Sequence, residues 1–159
     1  MYLNALEFLE EERDAWAPFE ALAQLSDDQL SRPLEAAHGW SGRQLIGHLL
    51  HWQGHALDVA KELAVNETSA AKEALDEDWE RRGGDVVNDE VDATWSAKPM
   101  AEVRETFTTQ PGELRGYLTV VPESRWLKNP DYLAFLTEEL TAHYEDHLAD
   151  LEAVLASAR

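Results

Sequence analysis

Two histidines four residues apart, His143 and His147 in Thr141-Ala142-His143-Tyr144-Glu145-Asp146-His147-Leu148, are the residues of this sequence best placed to do chemistry. On a helix that spacing sets both imidazoles on one face about a turn apart, where they can share a metal ion. The same face carries Leu136, Leu140, Leu151 and Val154, so both rings are expected to point into the apolar seam. Neutral imidazoles buried there need hydrogen-bond partners or a cation, because an unpaired polar group in an apolar interior is costly. The spacing leaves two readings open: a metal site, or two histidines satisfied by carbonyls and tyrosine hydroxyls.

A competent metal site needs a third ligand, and His48, His51 and His55 form one stripe on an earlier helix. His48 keeps the most inward company, Leu45, Leu49 and Trp52, and is the candidate third ligand. His51 is the nearest substitute. His55 is followed by Asp58, Lys61 and Glu62 and leans towards solvent, while His38, before Gly39-Trp40, reads as a loop residue. Trp52 and Tyr144 are candidate pocket residues, although large aromatics at helical spacing also fill cores. Glu139, one turn before His143, is placed either to orient that ring or to lie in solvent.

Helical periodicity positions these residues. Apolar residues recur at Leu6, Leu9, Trp16, Phe19 and Ala23, with Glu10-Glu11-Glu12 expected to face outward. Ser26-Asp27-Asp28-Gln29 reads as a capping box on one short turn stopped by Pro33. A second capping box, Ser41-Gly42-Arg43-Gln44, opens a helix to about Leu63 with the inner stripe Leu45, His48/Leu49, Trp52, Ala56, Val59 and Leu63. Residues 64–88 are polar and less periodic, which predicts a long connection with one short helix near Ala70–Arg81 and a loop at Arg82-Gly83-Gly84-Asp85.

A third helical region spans about Asp89 to Val121, with a helix start at Pro99 and a kink or break at Pro111-Gly112. Asn129-Pro130-Asp131 opens the last helix, whose seam is Leu133, Leu136, Leu140, His143, His147, Leu151 and Val154. No alternating Val/Ile/Thr run competes with helix. The expected fold is all-α: a four-helix bundle with a long crossover between the second and third main helices, in one domain spanning residues 1–159.

Composition sets the outer limits. The 159 residues carry 13 Lys+Arg against 32 Asp+Glu, a net charge of −19, which argues against tracking a nucleic-acid backbone or docking on anionic lipid. A 44% hydrophobic share with six Trp supplies a core. The absence of cysteine removes disulfides, thiolate ligands and a Cys nucleophile, and six histidines outnumber the lysines. With neither a signal-peptide pattern nor an apolar run of membrane-spanning length, the expected location is cytoplasmic.

The segment Gly39-Trp40-Ser41-Gly42-Arg43-Gln44-Leu45-Ile46-Gly47-His48-Leu49, with His eight residues after a Trp, resembles the DinB superfamily pattern, also described as DinB/YfiT-like. The ending His143-x-x-x-His147-Leu148-x-x-Leu151 is similar to that family's final-helix motif, about 95 residues further on. It departs from the commonest form, since Leu148-Ala149-Asp150 stands where an Arg-x-Gln type follow-on is usual. The resemblance implies a four-helix bundle with a three-His metal site formed by His48, His143 and His147.

Three imidazoles leave a divalent ion with open positions, the layout of a catalytic site, and zinc, nickel, iron, manganese or cobalt all suit such ligands. The resemblance further implies transfer of a low-molecular-weight thiol (bacillithiol, mycothiol or glutathione) to an electrophilic small molecule. A basic clamp for an acidic thiol would have to come from Arg43, Arg104, Arg115 or Arg125. The expected partner is a small-molecule substrate, with a homodimer left open. The rival readings are a non-catalytic metal- or ligand-binding bundle and an acidic protein-interaction or stress-response module.

Overall fold

The computed structural model describes all residues 1–159 and contains helices without strands. Helix α1 spans Ala5–Trp16, starting where the Asn4 side chain accepts from the Glu7 N–H. Pro18 ends the α-helical pattern, and Ala17–Gln24 continues as 3₁₀ turns. The Ser26 capping box forms and opens the short α2, Asp27–Leu30. The Ser41 box likewise opens α3, Gly42–Val65, the longest helix of the chain.

The crossover holds more helix than its composition predicts. Ser69 accepts from the Lys72 N–H and starts α4, Ala70–Arg82, and after Gly83 at φ 82° α5 runs Gly84–Ser96. These helices are polar along most of their length, which obscures their period. They form because a few contacts dock them. The Tyr132 hydroxyl accepts from the Ser69 N–H at 2.7 Å, and Glu62 accepts from the Ser69 hydroxyl and the Ala71 N–H. Val87 and Val91 bury against Trp52. Gly47 lets α5 approach α3 closely: a Cβ there would lie 2.7 Å from Trp95 Cβ.

Helix α6, Met100–Val120, runs through Pro111 without the expected break. Pro111 itself is buried, and Val103, Phe107, Leu114 and Leu118 on the same helix face the core. This packing holds the helix together across the missing N–H. The Asn129 side chain caps α7, Pro130–Thr137, by accepting from the Asp131 and Tyr132 N–H groups. A single π turn, Glu138–Ala142, then leads into α8, His143–Asp146, and α9, Leu148–Ser157. Tyr132, Leu136, Leu140 and Tyr144 are all buried at steps of four, wider than the α-helical 3.6, and the extra residue of the π turn keeps them on one line.

Helices α1, α3, α6 and the α7–α9 segment enclose the main core, where Trp16 packs against Phe19, Phe107 and Tyr144. A polar chain threads it. Glu12 is 0% exposed, the reverse of its expected outward position, and pairs with Arg115 at 2.5 Å. The Tyr144 hydroxyl donates to Glu12, Gln53 donates to that hydroxyl at 2.9 Å, and Gln110 donates to Gln53 and to the Leu50 carbonyl. The chain ties α1, α3, α6 and α8 together. No helix is long and apolar enough to cross a membrane. Replacing Glu12 by Ala strands the Arg115 cation and the Tyr144 hydroxyl, and is expected to cost about 2–4 kcal/mol of stability in urea unfolding. A loss under about 0.5 kcal/mol would show that the chain is not structural.

Candidate metal centre

His48 comes from the second turn of α3; His143 opens α8 just before the buried Tyr144, and His147 stands at the junction of α8 and α9. One nitrogen from each of the three rings falls within 4.8 Å of the others, and His48 Nε2 lies 2.9 Å from His143 Nε2. All three are half-buried at the edge of the core, because Tyr144, not a histidine, takes the inward position of that turn. Trp40 covers them from the loop before α3, with its ring 4.8 Å from His48 and stacked 5.7 Å from His147.

His147 Nδ1 lies 2.8 Å from an oxygen of Asp150, which is 4% exposed. A neutral imidazole donates there from Nδ1, which leaves Nε2 as its free lone pair. Burial is the main cause that holds the His48 ring at a pKa of about 2 and the His143 ring at about 3, with the neighbouring imidazoles adding to it. The His48 and His143 rings are therefore neutral, the form that binds a metal. A tetrahedral ion bound through nitrogen keeps its donors about 3.3 Å apart, a spacing that the observed separations bracket. The cluster fits a divalent ion of the zinc, nickel, iron, manganese or cobalt type and can hold one.

A cleft of about 470 Å³ adjoins the cluster, and His48 and His143 both line it. Trp52, Trp79, Phe135 and Leu75 supply its apolar wall. Glu139 stands on the same cleft, and its carboxyl is pushed up to about 8 by burial, then by Glu138 and Asp76. Tyr144 is not a cleft residue: it is fully buried, and its hydroxyl is spent on Glu12 and Gln53. The sequence pattern put Tyr144 beside the histidines without telling which side of the helix it takes.

His51 lies outside the cluster. Its Nδ1 accepts from the Trp95 indole at 3.3 Å and its Nε2 meets His55 Nε2 at 3.1 Å. His55 is half-buried with its ring against Trp52 rather than turned to solvent, because α4 and α5 cover this stretch of α3. The four arginines considered as an acidic-thiol clamp are all engaged elsewhere. Arg43 donates to the Ser96 and Lys98 carbonyls, Arg104 to Asp27 and Leu25, Arg115 to Glu12, and Arg125 to Glu67 and Leu63. None lines the cleft. Sequence reasoning missed Asp150 as a partner of His147, although a carboxylate three residues on along a helix was its signal.

Replacing Asp150 by Asn is expected to weaken zinc binding about 10–100-fold, with His51→Gln leaving it unchanged, as measured by competition with a chromophoric chelator. Equal losses in both would contradict this placement. Burial, then His55, holds His51 at about 4 against an ordinary 6.5, so the unfolded chain takes up this proton first as pH falls. Wild-type stability is therefore expected to drop between about pH 6.5 and 4. His51→Gln is expected to show a shallower fall in metal-free urea unfolding across that window, and an equal slope would refute the assignment.

The cluster's chemistry can be set against known proteins. No curated protein and no solved structure matches the chain significantly. A family model described as the DinB superfamily matches residues 9–151, a span that contains all three histidines of the cluster. The chain belongs to the DinB superfamily.

Proposed function

We propose that the protein is a metal-dependent enzyme in which His48, His143 and His147 hold a divalent ion, and that it transfers a low-molecular-weight thiol to an electrophilic small molecule. The observation that carries this reading is that His48 and His143 belong both to the three-His cluster and to the lining of the cleft. A molecule in the cleft is therefore in reach of whatever the cluster holds. When bound, the ion supplies a Lewis acid that lowers the pKa of a thiol or water and makes it nucleophilic near neutral pH.

The chain's own groups have separable tasks. Asp150 fixes the tautomer and direction of His147, and Trp40 covers the rings of His48 and His147. Trp52, Trp79 and Phe135 exclude water from one side of the cleft and receive an apolar body. In the transfer, the thiol sulfur bonds to the electrophilic carbon and the leaving group departs with its bonding pair. The thiol proton passes to solvent. The chain has no cysteine, so the sulfur comes from the small thiol. A lining without Lys or Arg favours an uncharged carrier of the mycothiol type over carboxylate-bearing glutathione or bacillithiol.

Zinc- or nickel-loaded protein with a panel of these thiols and an aryl chloride is expected to form thioether faster than buffer. His147→Ala is expected to return the rate to that of buffer while keeping the helical circular dichroism. Rates equal in wild type and His147→Ala with every thiol would overturn the proposal.

A further inference from the structure

Carboxyls dominate the polar groups that line the cleft beside the histidines. Asp76, Glu80, Glu138 and Glu139 bring four carboxyls, with no Lys or Arg among the lining residues. Asp76 is already paired with Lys72 at 2.7 Å, but Glu80, Glu138 and Glu139 form no ion pair. Asn88 completes the polar lining. The carboxyls face Trp52 and Trp79, whose rings meet edge to face at 5.5 Å, and aromatic faces attract cations.

We infer that the cleft binds a small organic cation, a protonated amine with an aromatic or apolar body, as the substrate class of the site proposed above. The ammonium meets Glu80 and Glu138, while the body lies against Trp52 and Trp79. The volume of about 470 Å³ suits a molecule of one or two rings. An anionic substrate would meet the same carboxyls as repulsion. This inference rests on the site reading but stands apart from the thiol chemistry, because it concerns only what the lining recognises.

The test compares phenethylamine, phenethyl alcohol and 3-phenylpropionate by calorimetry on zinc-loaded full-length protein at neutral pH. The amine is expected to bind about tenfold or more tighter than the alcohol, and the carboxylate weakest. The double variant Glu80→Gln/Glu138→Gln is expected to lose that preference while keeping its zinc content. The preference is also expected to survive zinc removal. Equal binding of amine and alcohol, an unchanged preference in the double variant, or a preference that vanishes with zinc alone would overturn it. Zinc content, read separately, keeps failure of this inference distinct from failure of the metal site.

Discussion

Of the three imidazoles within 4.8 Å of one another, His48 and His143 are kept neutral by the packing around them. Burial, and then repulsion between rings at such separations, displaces their protonation to strongly acid pH. Neutral rings in turn must be held in fixed tautomers and directions. Asp150 does this for His147, and Trp40 packs across two of the rings. Behind them, the core chain Glu12–Tyr144–Gln53 clamps the turn that carries His143 and His147 onto α3, which carries His48. A tyrosine between the two histidines thus serves as the anchor that lets them face the other way.

Much of this was legible. The i, i+4 histidine pair, the third histidine eight residues after Trp40, and both capping boxes are local patterns that the fold preserves. What could not be read depends on contacts distant in the chain. Glu12 belongs to an acidic run and reads as solvated, yet Arg115 and Tyr144 draw it inside from more than a hundred residues away. Helix α4 lacks a clear apolar period and is held by a few contacts such as Ser69 to Tyr132, whereas α5 sets Val87, Val91 and Trp95 on one face against Trp52. Pro111 reads as a kink or break because the sequence does not display the packing that keeps α6 continuous past it. The π turn at Glu138–Ala142 has no compositional signature, although the four-residue spacing of Leu136, Leu140 and Tyr144 hints at it.

The charge is distributed with consequence. The 13 basic residues include Arg43, Arg104, Arg115 and Arg125, all tied to carbonyls or carboxylates that join distant segments. That leaves the cleft with carboxyls and no cation in its lining, so the bulk excess of acid becomes a local selectivity beside the histidines. The histidines set what chemistry can happen, the aromatic wall sets the shape of what enters, and the carboxyls set its sign.

Cobalt(II) titration of the metal-free protein, followed in the visible, tests the central claim most directly. The account predicts saturation at one equivalent per chain, with intensified ligand-field bands from nitrogen ligands in a site of low coordination number. It predicts that His48→Ala, His143→Ala and His147→Ala each abolish those bands. A spectrum that stays that of aqueous cobalt, or bands that survive all three substitutions, would contradict it.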